Sequence, residues 1–337
     1  MAGAITSQHA RIASVGIHLP SAVRTTQETE LLLRAANPGM QLPTGLIHRI
    51  TGVRRVHVRE RGQDASDLAA LAGRKALAAC GEPVDHLIFA SASQDMIEPA
   101  TSHIVAEKLG LGVPVFDAKN ACNSVLNGMQ IAAGLIAIGQ ARRVLVASGE
   151  TPTTAARWEL ADKQQFLRSF PGFTMSDGGA AVVVEASDEP GIEGMYFAAE
   201  SRHWQIGTLP TGGSHRPRDL EATYFDMDGA KLAEAFLQLG PGPVFELLDR
   251  LDARIEDFDL IAMHQVATPH LPRIAERLGV SAERIIETVS EHGNLASVTL
   301  PLQLSLAFER GAVRQGSRVL LIGLAGGISI GVMAVRL

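Results

Sequence analysis

Residues 117–140 read DAKNACNSVLNGMQIAAGLIAIGQ and hold one of the two cysteines of this 337-residue chain. Around and after Cys122, small and apolar residues recur at helical spacing, which predicts a helix over 121–139. The unpaired N–H groups at the beginning of a helix favour a thiolate, and the small neighbours Ala121 and Ser124 leave room for a substrate. Because a lone cysteine on a helix is more often buried packing, this stretch suggests a nucleophile without establishing one.

Short apolar strands and helices alternate on both sides of this stretch. Such an alternation predicts an α/β fold with mainly buried sheets that helices cover on both faces. The alternation restarts in the second part of the chain, so we expect two similar halves, residues 1–187 and 188–337. Residues 25–50 and the loop-rich residues 203–227 interrupt the pattern, and long loops of this kind often form lids or binding segments.

The composition limits the class of protein. Hydrophobic residues make up 46% and charged residues 20%, and the net charge of −6 results from 30 basic and 36 acidic side chains. We therefore expect a compact protein that does not bind nucleic acid. The sequence shows neither an apolar run of membrane-spanning length nor a signal-peptide pattern, so we expect no membrane partner and a cytoplasmic location. Cys80 fits a packing role, and no CxxC pair suggests a metal site.

Two later segments contain side chains that can work with a thiol. His264 follows the apolar strand-like residues LIAM, at the end of a strand where side chains emerge into a crevice outside the sheet. Asn294 follows Gly293 at the start of another helical segment, which is an ordinary N-cap position. Each residue alone has a structural explanation. Together with Cys122 they supply a nucleophile, a proton-handling imidazole and an amide donor.

Through nearly its whole length, the sequence resembles the thiolase superfamily in its ketoacyl synthase III branch. The markers are FDAKNAC around Cys122, SDGGAAVVVE at 176–185, HQV at 264–266, GNLASVTLP at 293–301 and GLAGGISIG near the C-terminus. The resemblance implies a five-layered αβαβα fold made of two similar halves, usually as a homodimer. It also implies that Cys122, His264 and Asn294 are the catalytic residues. The amides of Cys122 and Gly326 would form an oxyanion hole, the pair of N–H donors that binds the negative oxygen of a tetrahedral intermediate.

A finer resemblance concerns DMIEPATSHIVAEKLG, NACNSVLNGMQIA and HQVATPH. These segments look more like the head-to-head condensing enzymes of olefin and β-lactone biosynthesis, which join two acyl-CoAs. In those enzymes a glutamate of the EP stretch reaches the partner subunit's active site and acts as base on the α-carbon. The matching residue here is Glu98, although a Glu before a Pro is usually a solvated loop charge.

The sequence departs from the housekeeping initiator type where that type binds CoA. There an Arg directly before Thr-Gly clamps the adenine, whereas HRITGVRRV places Ile50 at that position and Arg49 before it. Arg49, Arg54 and Arg55 belong to a basic cluster that is a candidate for binding pantetheine phosphates or an acidic carrier protein. We therefore expect the substrate to be a thioester of CoA or of the phosphopantetheine of an acyl carrier protein, with no cofactor and no metal.

The expected activity is acylation of Cys122 by one acyl thioester, followed by a Claisen condensation with a second. The carbanion would form by loss of CO₂ from a malonyl group or, without decarboxylation, by proton removal through Glu98. The alternative is an acyltransferase that moves the acyl group from Cys122 to a hydroxyl or amine of a specialised metabolite. A non-catalytic subunit with the same fold is disfavoured, because the Cys, His and Asn positions are all filled.

Overall fold

The computed structural model describes residues 8–337, which contain eleven α-helices and thirteen strands. The helices are α1 Thr26–Ala36, α2 Leu46–Thr51, α3 Ala65–Cys80, α4 Thr101–Leu109, α5 Ser124–Ala137, α6 Lys163–Ser169, α7 Gly229–Leu239, α8 Gly242–Arg250, α9 Leu271–Leu278, α10 Val289–His292 and α11 Thr299–Glu309. The strands are β1 His9–His18, β2 Val23–Thr25, β3 Arg55–His57, β4 His86–Ala90, β5 Val115–Ala118, β6 Arg143–Glu150, β7 Gly178–Ser187, β8 Ile192–Ala199, β9 Gly207–Thr208, β10 Asp226–Met227, β11 Leu260–Met263, β12 Arg318–Ala325 and β13 Ser329–Arg336. None of the helices in this described part of the chain is long and apolar enough to cross a membrane.

The first large sheet has five strands in the order β1-β7-β6-β4-β5. Strand β7 pairs antiparallel with both β1 and β6, whereas β6, β4 and β5 run parallel. Strands β6 and β7 are buried along most of their length. Burial on both faces explains why these two strands are continuous apolar runs instead of alternating apolar and polar residues.

The second large sheet repeats this pattern with four strands in the order β11-β12-β13-β8. Strands β11 and β12 are parallel, and β13 pairs antiparallel with β12 and β8. Strands β4, β6, β7 and β1 therefore match β11, β12, β13 and β8 in order and direction, and β5 has no counterpart. The boundary predicted at residues 187 and 188 lies in the connection from β7 to β8. That the halves are separate domains stays a prediction.

Helices separate and cover the two sheets. Leu126 and Met129 of α5 and Leu304 of α11 pack between the sheets in one shared core. Helices α3 and α4 cover the outer face of the first sheet, and α8 and α9 cover that of the second. The resulting order of helix, sheet, helix, sheet and helix confirms the predicted five-layered αβαβα fold.

A glycine allows α5 to lie directly against the first sheet. A Cβ atom on Gly128 would lie 2.6 Å from Cγ1 of Val146 and 2.9 Å from the Cβ of Ala90, closer than carbon atoms can approach. Any larger residue would push the helix away from β6 and β4. The close contact therefore sets how near α5 lies to the sheet.

Two predicted helices differ in the structure. The helix predicted over 121–139 is α5, which begins two residues after Cys122. The helical segment predicted over 229–250 consists of α7 and α8, which meet at Gly240 and Pro241. Proline has no N–H group to continue the hydrogen bonding of the preceding helix, so one helix ends there and a second begins.

Candidate active site

Cys122 lies in a tight turn between β5 and α5. The Asn123 N–H donates to the Asn120 carbonyl at 2.9 Å. The N–H and the hydroxyl of Ser124 both donate to the Ala121 carbonyl, at 3.1 and 2.7 Å. Within this turn Ala121 has a φ of 45°, a left-handed conformation that residues other than glycine rarely adopt. Strained residues of this kind concentrate at functional sites.

A large cavity brings together residues that are far apart in the sequence. It has a volume of about 2210 Å³, and its lining includes Cys122, His264 and Asn294. Gly326, in the turn between β12 and β13, lines it as well. Small-molecule pockets typically occupy about 300–1,000 Å³, so this cavity can hold more than one ordinary ligand. The structure thus places four of the predicted site residues around one space, while their catalytic roles stay predictions.

His264 directly follows β11 and is only 6% exposed. Its N–H donates to the Ile322 carbonyl at 2.8 Å, which fixes the backbone beside β12. Burial lowers the pKa of His264 to about 4, and the nearby Ala296 backbone opposes this effect. Among residues 8–337, however, no atom meets hydrogen-bond geometry at Nδ1. The imidazole is therefore neutral at pH 7 and offers one donor and one acceptor nitrogen.

Asn294 is held by its backbone in the loop before α11. Its N–H donates to the Thr174 carbonyl at 2.8 Å, and its carbonyl accepts from the Ser176 N–H at 2.9 Å. The side-chain Oδ1 accepts from the Ala296 N–H at 3.0 Å, at the beginning of the 3₁₀ turn Ala296–Val298 that leads into α11. With Oδ1 occupied, the Nδ2 group is the end of the amide that can donate to a bound molecule.

The thiol of Cys122 is protonated at neutral pH. Burial raises its pKa to about 12, the nearby Glu150 adds to the rise, and the cysteine's own N–H opposes it. The expectation that the helix beginning makes Cys122 a thiolate is therefore outweighed, because desolvation of the charged form dominates. The thiol must therefore lose its proton as the sulfur attacks, and the neutral His264 in the same cavity is the candidate proton acceptor.

Sequence reasoning missed Glu150, the last residue of β6. This carboxyl group is fully buried and lines the cavity. It accepts from the Ala92 N–H at 2.9 Å and from the Ser93 N–H and hydroxyl at 3.2 and 3.0 Å. The Ser297 hydroxyl donates to it at 2.5 Å. Burial raises the pKa of Glu150, and these hydrogen bonds oppose the rise. An acidic residue at the end of an apolar strand, the place where His264 also occurs, was the available signal.

The structure does not bring Glu98 into the cavity of its own chain. The residue is exposed in the loop between β4 and α4. Its neighbours Met96 and Ile97 do line the cavity, and their side chains are 48% and 67% exposed. The role of Glu98 as a base stays a prediction, and in this position it requires a second copy of the chain.

The predicted substrate-binding arginines lie outside the cavity. Arg49, Arg54 and Arg55 are exposed. Arg54 and Arg55 both form ion pairs with Glu291, at 2.7 and 3.3 Å. Exposed ion pairs of this kind are weak, so a bound anion could replace Glu291 as the partner of the two arginines. Their part in binding substrate stays a prediction.

Other basic residues lie at the cavity instead. Arg273 and Arg277 of α9 and Lys231 of α7 are part of its lining and are exposed. The sequence signal was the spacing of four residues between the two arginines, which places both on one face of a helix. Between residues 8 and 337, no cluster of three or more His, Cys, Asp or Glu side chains is arranged to hold a metal ion.

Comparison with known proteins identifies the family. Residues 116–201 match the family model of 3-oxoacyl-[acyl-carrier-protein] synthase III, and residues 248–337 match the model of its C-terminal part. The chain is 32% identical to β-ketoacyl-[acyl-carrier-protein] synthase III 3 of Streptomyces coelicolor, over 96% of each chain.

Two solved structures have the same fold. The 3-oxoacyl-(acyl carrier protein) synthase III of Pseudomonas aeruginosa matches with a TM-score of 0.85 and 27% identity over 98% of both chains. A variant of Xanthomonas campestris OleA with bound lauric acid and lauroyl-CoA matches with a TM-score of 0.87 and 25% identity, over 98% of this chain and 99% of that one. Fold and matches define the class as thiolase-like enzymes. Within this class, the chain belongs to the β-ketoacyl-[acyl-carrier-protein] synthase III family.

Proposed function

We propose that this enzyme joins two acyl thioesters by a Claisen condensation through an acyl-Cys122 intermediate. The observation that carries the proposal is the shared cavity, because Cys122, His264 and Asn294 all line it. A thiol, an imidazole and an amide donor in one space supply the groups that acyl transfer and enolate stabilisation require.

The first half-reaction transfers the acyl group to the enzyme. The Cys122 sulfur attacks the thioester carbonyl carbon while its proton passes to the neutral His264. The amides of Cys122 and Gly326 bind the negative oxygen of the tetrahedral intermediate. The bond to the leaving sulfur then breaks, the proton passes to that sulfur, and a free thiol departs. Each preorganised N–H donor of this kind contributes roughly 3–4 kcal/mol to the transition state.

The second half-reaction forms the carbon–carbon bond. The second thioester loses either CO₂ or an α-proton, and the resulting enolate oxygen accepts hydrogen bonds from His264 and from Nδ2 of Asn294. The enolate carbon attacks the carbonyl carbon of the acyl-enzyme, and the bond between that carbonyl carbon and the Cys122 sulfur breaks. A β-ketoacyl thioester is released. The Cys122 sulfur recovers the α-proton that Glu98 removed or, after decarboxylation, takes a proton from water.

The walls of the cavity suit acyl chains. Much of the lining is apolar, including Leu160, Phe166, Phe170, Phe225 and Phe236. Because the free energy falls when apolar surface is removed from water, such walls favour hydrocarbon chains over polar metabolites. The volume of about 2210 Å³ supports an acyl-enzyme and a second acyl chain in the same space.

The proposal includes delivery of the acyl group by CoA or an acyl carrier protein, and a homodimer. Arg273, Arg277 and Lys231 at the cavity are suited to phosphate groups or an acidic helix. Ile97 and Phe116, the latter on the edge strand β5, are 67% and 36% exposed, as expected of side chains that a second copy covers. Such a dimer would carry Glu98 towards the partner's cavity, where it would act as the base.

The test is a product assay with a panel of acyl-CoAs, with and without malonyl-CoA. We expect wild type to release a β-keto product from two simple acyl-CoAs. In Glu98→Ala, the covalent acyl adduct should persist while this product is lost. Glu107→Ala, which removes an exposed glutamate from the neighbouring α4, is the matched control and should behave as wild type.

Two results would change the proposal. If wild type gives product only with malonyl-CoA and Glu98→Ala gives full yield with it, the condensation is decarboxylative and Glu98 is not the base. If an adduct forms but no thioester acceptor yields a carbon–carbon bond, the enzyme is not a condensing enzyme.

A further inference from the structure

Asn123, the residue after Cys122, connects the two halves of the molecule beside the active site. Its side chain is fully buried. The Nδ2 group donates to the Ser329 carbonyl at 3.2 Å and to the Ser329 hydroxyl at 3.0 Å. Ser329 begins β13, three residues after Gly326. One amide group therefore ties the turn that holds Cys122 to the turn that holds Gly326.

Strand β12 leaves space for the Asn123 amide, but, among residues 8–337, the amide oxygen is buried without a hydrogen-bond donor. A Cβ atom on Gly323 of β12 would lie 2.0 Å from Oδ1 of Asn123, so only glycine fits there. The Oδ1 atom is buried and, within the described residues, has no hydrogen-bond partner. A buried acceptor without a donor destabilises a fold, and an apolar side chain of similar size would avoid that cost. The amide is thus poorly explained by stability alone.

We propose that Asn123 is a positioning residue that sets the spacing between the two oxyanion amides, those of Cys122 and Gly326. The inference rests on the proposed function, in which these amides bind the tetrahedral oxyanion. Cys122 belongs to the first half and Gly326 to the second, so their spacing depends on contacts across the halves. The hydrogen bonds from Asn123 to Ser329 join a residue next to Cys122 to a residue three positions from Gly326.

Two reactions of the same sulfur separate this role from a general one. Acylation by a thioester passes through a tetrahedral oxyanion and requires both amides. Alkylation by iodoacetamide displaces iodide at a saturated carbon and forms no oxyanion. A change in the spacing of the amides therefore slows acylation alone, whereas unfolding or a displaced sulfur changes both reactions.

The experiment measures both rates at one pH for wild type and Asn123→Ala. We expect acylation to fall by about 10- to 100-fold, as for other small misplacements of catalytic groups, with alkylation within about twofold of wild type. Ser329→Ala, which removes the hydroxyl acceptor and keeps the carbonyl, should give a smaller fall in acylation alone. It decides the question if Asn123→Ala does not fold.

Asn127→Ala is the matched control, because Asn127 lies in the first turn of α5, which Asn123 precedes. Within the described residues 8–337, the Asn127 side chain bonds only to Asn120 and Gln130, both in the first half, so both rates should stay at wild-type values. Equal falls in acylation and alkylation, or no fall in acylation, in Asn123→Ala and Ser329→Ala would overturn the inference. Failure of the proposed function is distinguishable. If acylation itself fails, wild type forms no acyl adduct, and if only condensation fails, wild type forms the adduct and the comparison of acylation with alkylation still holds.

Discussion

The two halves place different side chains at the ends of matching strands. Strands β4 and β11 correspond, and they are followed by Ser91 and His264. Strands β6 and β12 correspond as well; the first ends at Glu150 and the second is followed by Gly326. The ends of matching strands thus supply a hydroxyl and a carboxyl in the first half, and an imidazole and a bare backbone amide in the second.

The segments that enter the two central helices show the same relation. Cys122 precedes the helical residues of α5 by two positions, and Asn294 precedes the 3₁₀ turn leading into α11 by two positions. Each segment holds an alanine in the left-handed region, Ala121 with a φ of 45° and Ala296 with a φ of 49°. Ala121 comes directly before the nucleophile Cys122, whereas Ala296 comes two residues after the amide donor Asn294. Neither half alone contains the complete set of groups.

Because Asn294 in the second half of the chain serves the condensation step, we expect its substitution to have the largest effect on that step. Asn294→Ala removes a donor to the enolate and should lower condensation by about 100- to 1,000-fold. Acylation of Cys122 needs no enolate and should continue. Product release and intact-protein mass, measured on the same sample, separate the two steps. Loss of the adduct together with retained condensation of preformed acyl-enzyme would invert the assignment.

A second prediction concerns Glu150, the last residue of the strand that matches β12. The negative charge of the nearby Glu150 disfavours a thiolate and is the second cause of the raised pKa of Cys122, after burial. Glu150→Gln removes this repulsion and should lower the pKa of Cys122 from about 12, although the thiol stays less acidic than a free one because burial is the larger cause. The rate of iodoacetamide alkylation as a function of pH reports this pKa.

The direction in which the pKa of Cys122 moves in Glu150→Gln decides whether the carboxyl group acts on the thiol. Glu107→Gln, an exposed change on α4, should leave the pH profile where it is. An unchanged or higher midpoint in Glu150→Gln would show that the carboxyl group does not act on the thiol.

The smallest expected effect concerns a contact between the halves. The Ser297 hydroxyl donates to Glu150 at 2.5 Å and lies 2.8 Å from the Ser148 hydroxyl. Ser297→Ala leaves the buried carboxyl with one donor fewer, and we expect a loss of about 1–3 kcal/mol in the free energy of unfolding. Urea denaturation measures the loss. Ser305 of α11 is the control, because its hydroxyl donates to Glu309 in an exposed contact. Ser305→Ala should change the free energy of unfolding by less than about 0.5 kcal/mol, and an equal loss in both variants would contradict the account.

The sequence was sufficient to predict the layered fold and the residues of rare type at the ends of elements. Cys122 and His264 stand out because a thiol and an imidazole are uncommon and follow or precede apolar segments. Glu150 was missed because an acidic residue at a strand end usually faces solvent. Its burial depends on the loop after β4 and on Ser297, which close over it only in the folded chain.

Other features of the site depend on distances that a sequence does not contain. The protonated state of Cys122 results from surrounding protein that comes from several elements. The position of Arg273 and Arg277 at the cavity depends on how α9 packs on the second sheet. The predicted base Glu98 lies outside its own cavity, so its role depends on a second chain.

The account depends on the Cys122 sulfur as the atom that receives the acyl group. Intact-protein mass spectrometry after incubation with an acyl-CoA tests this directly. We predict one added acyl group on wild type and on Cys80→Ala, which lacks the other cysteine, and none on Cys122→Ala. An undiminished adduct on Cys122→Ala would contradict the account.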